Sequence, residues 1–228
     1  MVELFLDQAS SYAGQIDGVV LIIAIITGVW SALCFGVFFY LLFKFRAKDG
    51  VPAQYISGNK PEEKRWVSIP HMLVLVCDVF IIFVAVQAWY HVKQQMPEVD
   101  QEVRIVVQQW AWTFDHAGPD GKLDTDDDIR TVDELRVEVG KTYKYYLESR
   151  DVMHDFSVPV WRLKQDAIPG RTITGWFKPT QEGAFDIQCA EMCGIGHGIM
   201  GAKVYVQGAV AHASWNEQNS GLAALDAE

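Results

Sequence analysis

Cys189-Ala-Glu-Met-Cys-Gly-Ile-Gly-His-Gly-Ile-Met200 gathers two thiols, an imidazole and a thioether into a single glycine-rich stretch. Thiolate, thioether and imidazole are soft or borderline ligands, a set suited to copper. Gly194, Gly196, Gly198 and Gly201 let the backbone bend enough for Cys189, Cys193, His197 and Met200 to converge. His154, in Asp151-Val-Met-His-Asp-Phe-Ser-Val-Pro159, is the natural further ligand. That segment reads as a turn followed by an extended X-Pro run able to lie beside the strand end at Ala184–Gln188.

Outward from the loop, short alternating runs predict strands at Glu102–Gln108, Trp110–Phe114, Glu134–Val139, Lys141–Glu148, Arg171–Phe177, Ala184–Gln188 and Ala202–Gln207. Their Val, Tyr, Ile, Thr and Trp content, punctuated by Gly, Pro and Asp, reads as a β-sandwich. A short helix is expected over Ala209–Asn219, and a frayed tail over Gly221–Glu228. Between the early strands lies an acidic loop, Asp115–Asp128, whose Asp120, Asp124, Asp126 and Asp128 are candidate oxygen ligands for Ca²⁺. It lacks the spacing and closing Glu of an EF-hand, and a solvated acidic turn, or a surface attracting a basic protein, competes with that reading.

Before Pro97 the character is different. Two apolar runs, about residues 18–43 and 68–91, are each long enough to cross a bilayer of about 30 Å. Pro70 is expected in the first turn of the second span, where a missing N–H costs little. Trp66, Trp89 and Tyr90 flank that span as interfacial aromatics do. Lys44, Arg46, Lys48, Lys60, Lys64 and Arg65 crowd the connection, while the first seventeen residues carry acids and no Lys or Arg. The positive-inside rule then leaves the connection in the cytoplasm or matrix and both termini outside. That acidic start is also opposite to a signal-peptide n-region. Asp78, deep in the second span, must face protein, pair or be protonated. The domains follow as a transmembrane hairpin over 1–96 and a soluble domain over 97–228. The net charge of −10 argues against nucleic acid as a partner and for a basic protein.

The residues alone leave several chemistries open for the loop. A Cys189–Cys193 disulfide, plausible in an oxidising compartment, leaves His197 and Met200 unexplained. Zinc bound by two Cys and two His would waste Met200. A mononuclear blue-copper site has no use for the second thiolate. Two coppers bridged by both thiolates would use every ligand, each metal keeping one imidazole and one weak ligand.

These residues resemble subunit II of cytochrome c oxidase, in the haem–copper oxidase superfamily, over nearly the whole chain. Cys-Ala-Glu-Met-Cys-Gly-x-x-His-x-x-Met is similar to that family's dinuclear CuA loop. His154-Asp-Phe-Ser-Val-Pro…Lys164-Gln-Asp-Ala-Ile-Pro-Gly-Arg171 resembles its first-histidine segment, and Gln109-Trp-Ala-Trp112 its aromatic stretch under the cytochrome c docking surface. The resemblance implies a membrane-anchored all-β protein, a two-helix transmembrane hairpin followed by a cupredoxin-like Greek-key β-sandwich. It makes His154, Cys189, Cys193, His197 and Met200 side-chain ligands of CuA. Glu191 would give its carbonyl to copper and its carboxylate to a Mg²⁺ shared with subunit I. Trp110 would receive electrons, and Glu63, otherwise a solvated surface charge, would sit at the mouth of a proton channel into subunit I. Asp155 departs from the small residue common after the first histidine.

The function this implies is an electron-accepting subunit of a terminal oxidase in a bacterial inner or mitochondrial inner membrane. Its donor would be cytochrome c or an equivalent c-type haem protein, since the chain has no Cys-x-x-Cys-His haem attachment. Its partners would be subunit I, which reduces O₂ and pumps protons, the other oxidase subunits and the lipid bilayer. The rivals are a quinol oxidase subunit, which lacks the copper ligands, the CuA subunit of a nitric oxide reductase, and a non-redox copper-binding membrane protein.

Overall fold

The computed structural model describes residues 6–53 and 55–220, so the tail expected to fray over Gly221–Glu228 lies outside the described residues. Two long helices come first, α1 (Ala13–Lys44) and α2 (Pro61–Trp89), the second running into a π-helical turn at Tyr90–Gln94. Both are apolar enough to cross a membrane, and almost none of their hydrophobic surface is buried within the chain. Leu, Ile, Val and Phe on every side of a helix suit lipid contact rather than a one-sided core. Pro70 is not in a first turn, as expected from hydropathy, but well inside α2. The helix begins earlier because Glu62–Arg65 form a polar turn ahead of the apolar run, led by Pro61, whose missing N–H is an orphan there anyway.

Ten strands follow among the described residues: β1 (Gln101–Gln108), β2 (Ala111–His116), β3 (Ile129–Val132), β4 (Glu134–Glu138), β5 (Tyr143–Ser149), β6 (His154–Val158), β7 (Leu163–Ala167), β8 (Ile173–Phe177), β9 (Gly183–Cys189) and β10 (Ala202–Gln207). They form two five-stranded sheets, ordered β3-β2-β1-β5-β8 and β4-β10-β9-β6-β7. The β1–β5 and β4–β10 pairs are parallel and the rest antiparallel. This is a cupredoxin-like sandwich. Helix α3 (Ala209–Asn219) ends the described chain, with the bounds the sequence predicted.

Period-two alternation builds the core. Val103, Ile105 and Val107 of β1, Tyr143, Tyr145 and Leu147 of β5, and Val204 and Val206 of β10 point inward and are buried. Trp112, Phe114, Phe156 and Trp161 fill the space between the sheets. Trp161 stacks on Phe177 with ring centroids 4.6 Å apart.

The described residues fall into two compact units, Asp17–Trp89 and the remainder. Residues 6–16 cluster with the sandwich. Ala9 N–H donates to Val160 O (2.9 Å), Ser11 N–H to Lys178 O (3.0 Å), and the Ser10 hydroxyl to Trp161 O (2.8 Å). Tyr12 packs edge-on against Trp176 at 5.1 Å.

Candidate metal centre

β9 ends at Cys189, and the next strand begins at Ala202, so both ends of the intervening loop are fixed by paired strands. Turns closed by His197 N–H to Gly194 O and Met200 N–H to Gly196 O, both 3.1 Å, curl the loop back on itself. β6 lies beside β9 with Phe156 opposite Cys189, and this register brings His154 to the same end of the sheet. The segment expected as a turn and extended run is therefore a central strand, with His154 as its first residue.

The donor atoms converge. Cys189 and Cys193 Sγ are 3.8 Å apart, much too far for a disulfide. Cys189 Sγ lies 3.9 Å from His154 Nδ1 and donates to Glu191 O at 3.2 Å. Cys193 Sγ lies 3.6 Å from His197 Nδ1 and 3.2 Å from Met200 Sδ. Among the described residues, His154, Cys189 and Cys193 form the one group of three or more His, Cys, Asp or Glu side chains close enough to share a metal ion. Burial, then the neighbouring Cys189 thiol, pushes the Cys193 thiol up to about 11. A metal taking it as thiolate displaces that proton.

The surroundings orient the ligands. His154, fully buried, has Nε2 2.9 Å from Asp151 Oδ1, which leaves Nδ1 for the thiol side. Burial opposes the Asp151 charge, but the Gln109 N–H and His154 outweigh it and hold the carboxyl below its usual range. Gln109 also donates its side-chain amide to Cys193 O at 2.8 Å, and Trp112 Nε1 donates to Met200 O at 3.3 Å. Trp110 lies over the loop, 39% exposed. A Cβ on Gly196 would come within 2.4 Å of its ring, so Gly196 is required for close approach as well as for the bend. The sequence set Gln109 and Trp112 in the aromatic stretch under the docking surface but did not anticipate their hydrogen bonds to the ligand loop, and it gave Asp151 no role. The one available signal was a carboxylate three residues before a ligand-like histidine.

The other candidates make local contacts of their own. Glu63, in the first turn of α2, accepts from Ser57 Oγ and Lys60 N at 3.4 Å. In the acidic loop, Asp124 pairs with both terminal nitrogens of Arg104 (2.9 and 2.8 Å), while Asp127 and Asp128 accept from Asp120 N and Asp124 N. Asp124 is thus engaged by β1, and Asp127 and Asp128 are engaged within the loop. Asp155 is buried opposite Asp166, and burial followed by that neighbour pushes it up to about 7.

A family model described as cytochrome c oxidase subunit II, periplasmic domain, matches residues 119–207. The alternative cytochrome c oxidase subunit 2 of Bradyrhizobium diazoefficiens is 32% identical over 235 residues, covering 93% of this chain and 83% of the relative. The chain belongs to the cytochrome c oxidase subunit II family. Cytochrome c oxidase subunit 2 of Cereibacter sphaeroides is 28% identical over 251 residues, covering 95% and 80% of the two chains. Among solved structures, the periplasmic domain of subunit II from Bradyrhizobium japonicum superposes with a TM-score of 0.49 at 28% identity, covering 55% of this chain and 96% of that one. As a subunit II, the chain is a membrane-anchored component of an oxidoreductase complex that associates with other oxidase subunits. Its His/Cys/Cys cluster is suited to copper.

Proposed function

We propose that this chain is the electron-accepting subunit of a cytochrome c oxidase. It takes single electrons from a c-type haem donor at a dinuclear copper centre and relays them to haem in subunit I, where O₂ is reduced and protons are pumped. The observation that carries this reading is the convergence of two thiols 3.8 Å apart with two imidazoles, a thioether and a carbonyl around them. A zinc site has no role for Met200, and a single copper has none for the second thiol.

Cys189 and Cys193 would hold the metal pair as thiolates, with His154, His197, Met200 and the Glu191 carbonyl as the further ligands. Bound there, the copper pair supplies one-electron redox chemistry. The rest is the work of the chain. Asp151 fixes the His154 tautomer and ring angle, since a histidine whose far nitrogen is held cannot swing away from its metal. Burial of His154, Cys193 and Met200 excludes water from the ligand atoms. Trp110 bridges solvent and loop, and its contact with Gly196 offers an incoming electron a path of packed atoms. The carboxylate of Glu191 would face a Mg²⁺ shared with subunit I, and Glu63 the mouth of its proton channel. In this reading residues 1–96 anchor the protein in a bacterial inner membrane, and residues 97–228 stand on its outer side.

The test is copper stoichiometry and electron paramagnetic resonance on the full-length chain in detergent. Two coppers sharing one unpaired electron are expected; one copper with a mononuclear hyperfine pattern overturns the reading.

A further inference from the structure

Helix α3 is short, starts after Gly208 with no side-chain cap, and has no acid in its first turn. Such a helix is marginal alone in water, so what it packs on must hold it in place. It packs on β4, and Trp215 is its anchor. His212, also on α3, stacks on the indole at 5.8 Å, His116 of β2 meets it edge-on at 5.1 Å, and the Arg136 guanidinium of β4 lies over it at 5.6 Å. Both imidazoles are buried, with neutral partners: Thr131 Oγ1 at 3.1 Å for His116 Nε2 and Gln207 Oε1 at 3.4 Å for His212 Nδ1. Glu134, bonded to Arg136, and Glu138 share the Arg136 face of β4. Beside them on β10 stand Lys203, bonded to Asp186, and Tyr205, whose ring lies under Arg136 at 4.8 Å. Asp115 and Arg130, bonded to each other, alternate to the other face of β2 and β3. Glu217, the one acid of α3, is exposed. Asn216 Oδ1 is buried without a hydrogen-bond partner among the described residues, a further cost to docking.

We propose that α3 is a latch released by acid: protons on His116 and His212, beside Arg136, free Trp215 and lift the helix off β4 while the rest of the sandwich stays folded. The cluster already holds one fixed cation, matched by Glu134, and each imidazole docks against the indole only as a neutral ring. Two more positive charges at 5–6 Å from the same indole would be desolvated and would repel Arg136 and each other. Burial, then His212, lowers the His116 pKa to about 3, against a smaller pull from the backbone of Glu134 and Arg136. Burial and Arg136 lower His212 in the same direction. Above about pH 6.5 both rings are neutral whether α3 is docked or released, and docking is independent of pH. Below it the released rings take up protons that the docked ones refuse. The docking constant should then fall about thirtyfold by pH 5 from His116 alone, with His212 adding to the fall. The geometry carries this without the oxidase reading, which adds only a source of protons on the outer side.

The experiment is hydrogen exchange on the full-length chain in detergent at pH 7.5 and pH 5, each corrected for the intrinsic exchange rate at that pH. Protection of the amides in α3 should fall at least tenfold at pH 5, while peptides from β1 and β5 keep theirs. Unchanged protection of α3 overturns the proposal. So does an equal loss in α3, β1 and β5, which would mean that acid loosens the whole sandwich and not the helix. The double variant His116→Gln with His212→Gln should keep α3 protected alike at both pH values; a fall as large as in wild type would place the trigger elsewhere. Should that variant fail to fold, histidine NMR on the wild-type chain decides. Both rings should titrate with the midpoint at which α3 loses protection, and either one titrating while α3 stays protected overturns the latch.

Discussion

One carboxylate ties the histidine ligand to the aromatic surface: Asp151 Oδ1 lies 2.9 Å from His154 Nε2, and its Oδ2 accepts the Gln109 N–H at 2.6 Å. The residue next to Gln109 is Trp110. The group that orients the buried ligand thus also pins the turn between β1 and β2 that carries the exposed indole.

Replacing that carboxylate should loosen the metal without unfolding the sandwich. Asp151→Ala leaves His154 in place on β6 but frees its ring to rotate. Copper affinity, measured by competition with a chelator, should fall by about 10–100-fold. Unchanged affinity would mean that packing against Trp112, whose ring is 6.5 Å from His154, is sufficient to fix the imidazole.

Gly196→Ala tests the contact between loop and indole. The added methyl carbon would sit 2.4 Å from Trp110, so the ring must move. Reduction by a c-type haem donor should slow, while the copper spectrum stays nearly that of wild type. Trp110→Phe should act in the same direction. Loss of the copper signal in Trp110→Phe would make that residue structural.

Acid should weaken the sandwich through His116. It is buried against Trp215 at 5.1 Å and bonded to Thr131 Oγ1 at 3.1 Å, with His212 and Arg136 as its charged neighbours. Burial, then His212, pushes its pKa down to about 3. Above about pH 6.5 the ring is neutral in both folded and unfolded chains, and stability does not depend on it. Below that value only the unfolded chain takes up the proton, so stability should fall by about 1.4 kcal/mol per pH unit until the folded ring also titrates. His212, lowered by burial and by Arg136, adds a contribution of the same sign. Thermal unfolding of the copper-free protein between pH 7.5 and 5 should show this slope, and His116→Gln should flatten it.

Phe156 couples core to site. It is fully buried, packs on Trp112 at 5.6 Å and stands opposite Cys189 in the ladder. Phe156→Ala should cost about 3–5 kcal/mol. Copper retention should fall with it, since the strands carrying His154 and Cys189 lose the side chain that packs β6 against Trp112 in the core. A variant destabilised by this amount that still binds copper normally would show the ligand loop to be held independently of the core.

The spans were legible as continuous apolar runs and seven of the strands by their alternation, and α3 stood out as the stretch after the last of them. β3, β6 and β7 were not. Leu163-Lys-Gln-Asp-Ala167 has too little apolar content to stand out, and His154-Asp-Phe-Ser-Val158 breaks alternation by burying Asp155 as well as its neighbours. Pairing, which no local window reports, makes them strands. The ligand set could be named from spacing and residue chemistry, because soft donors in a glycine-rich loop have few other uses. The residues that orient the ligands could not: Asp151 and Gln109 are ordinary surface types, and their roles arise only where β1, β6 and the loop meet.

The stitching of Ala9, Ser10 and Ser11 to the chain near Trp161 and Lys178 bears on biogenesis. Ser10 and its acceptor are 151 positions apart, with both membrane helices between them. Residues 9–11 are made before the hairpin and therefore wait through its insertion before their docking surface exists. A soluble version starting after Pro97 would lack Tyr12 and leave the face of Trp176 and the Trp161 carbonyl bare to water.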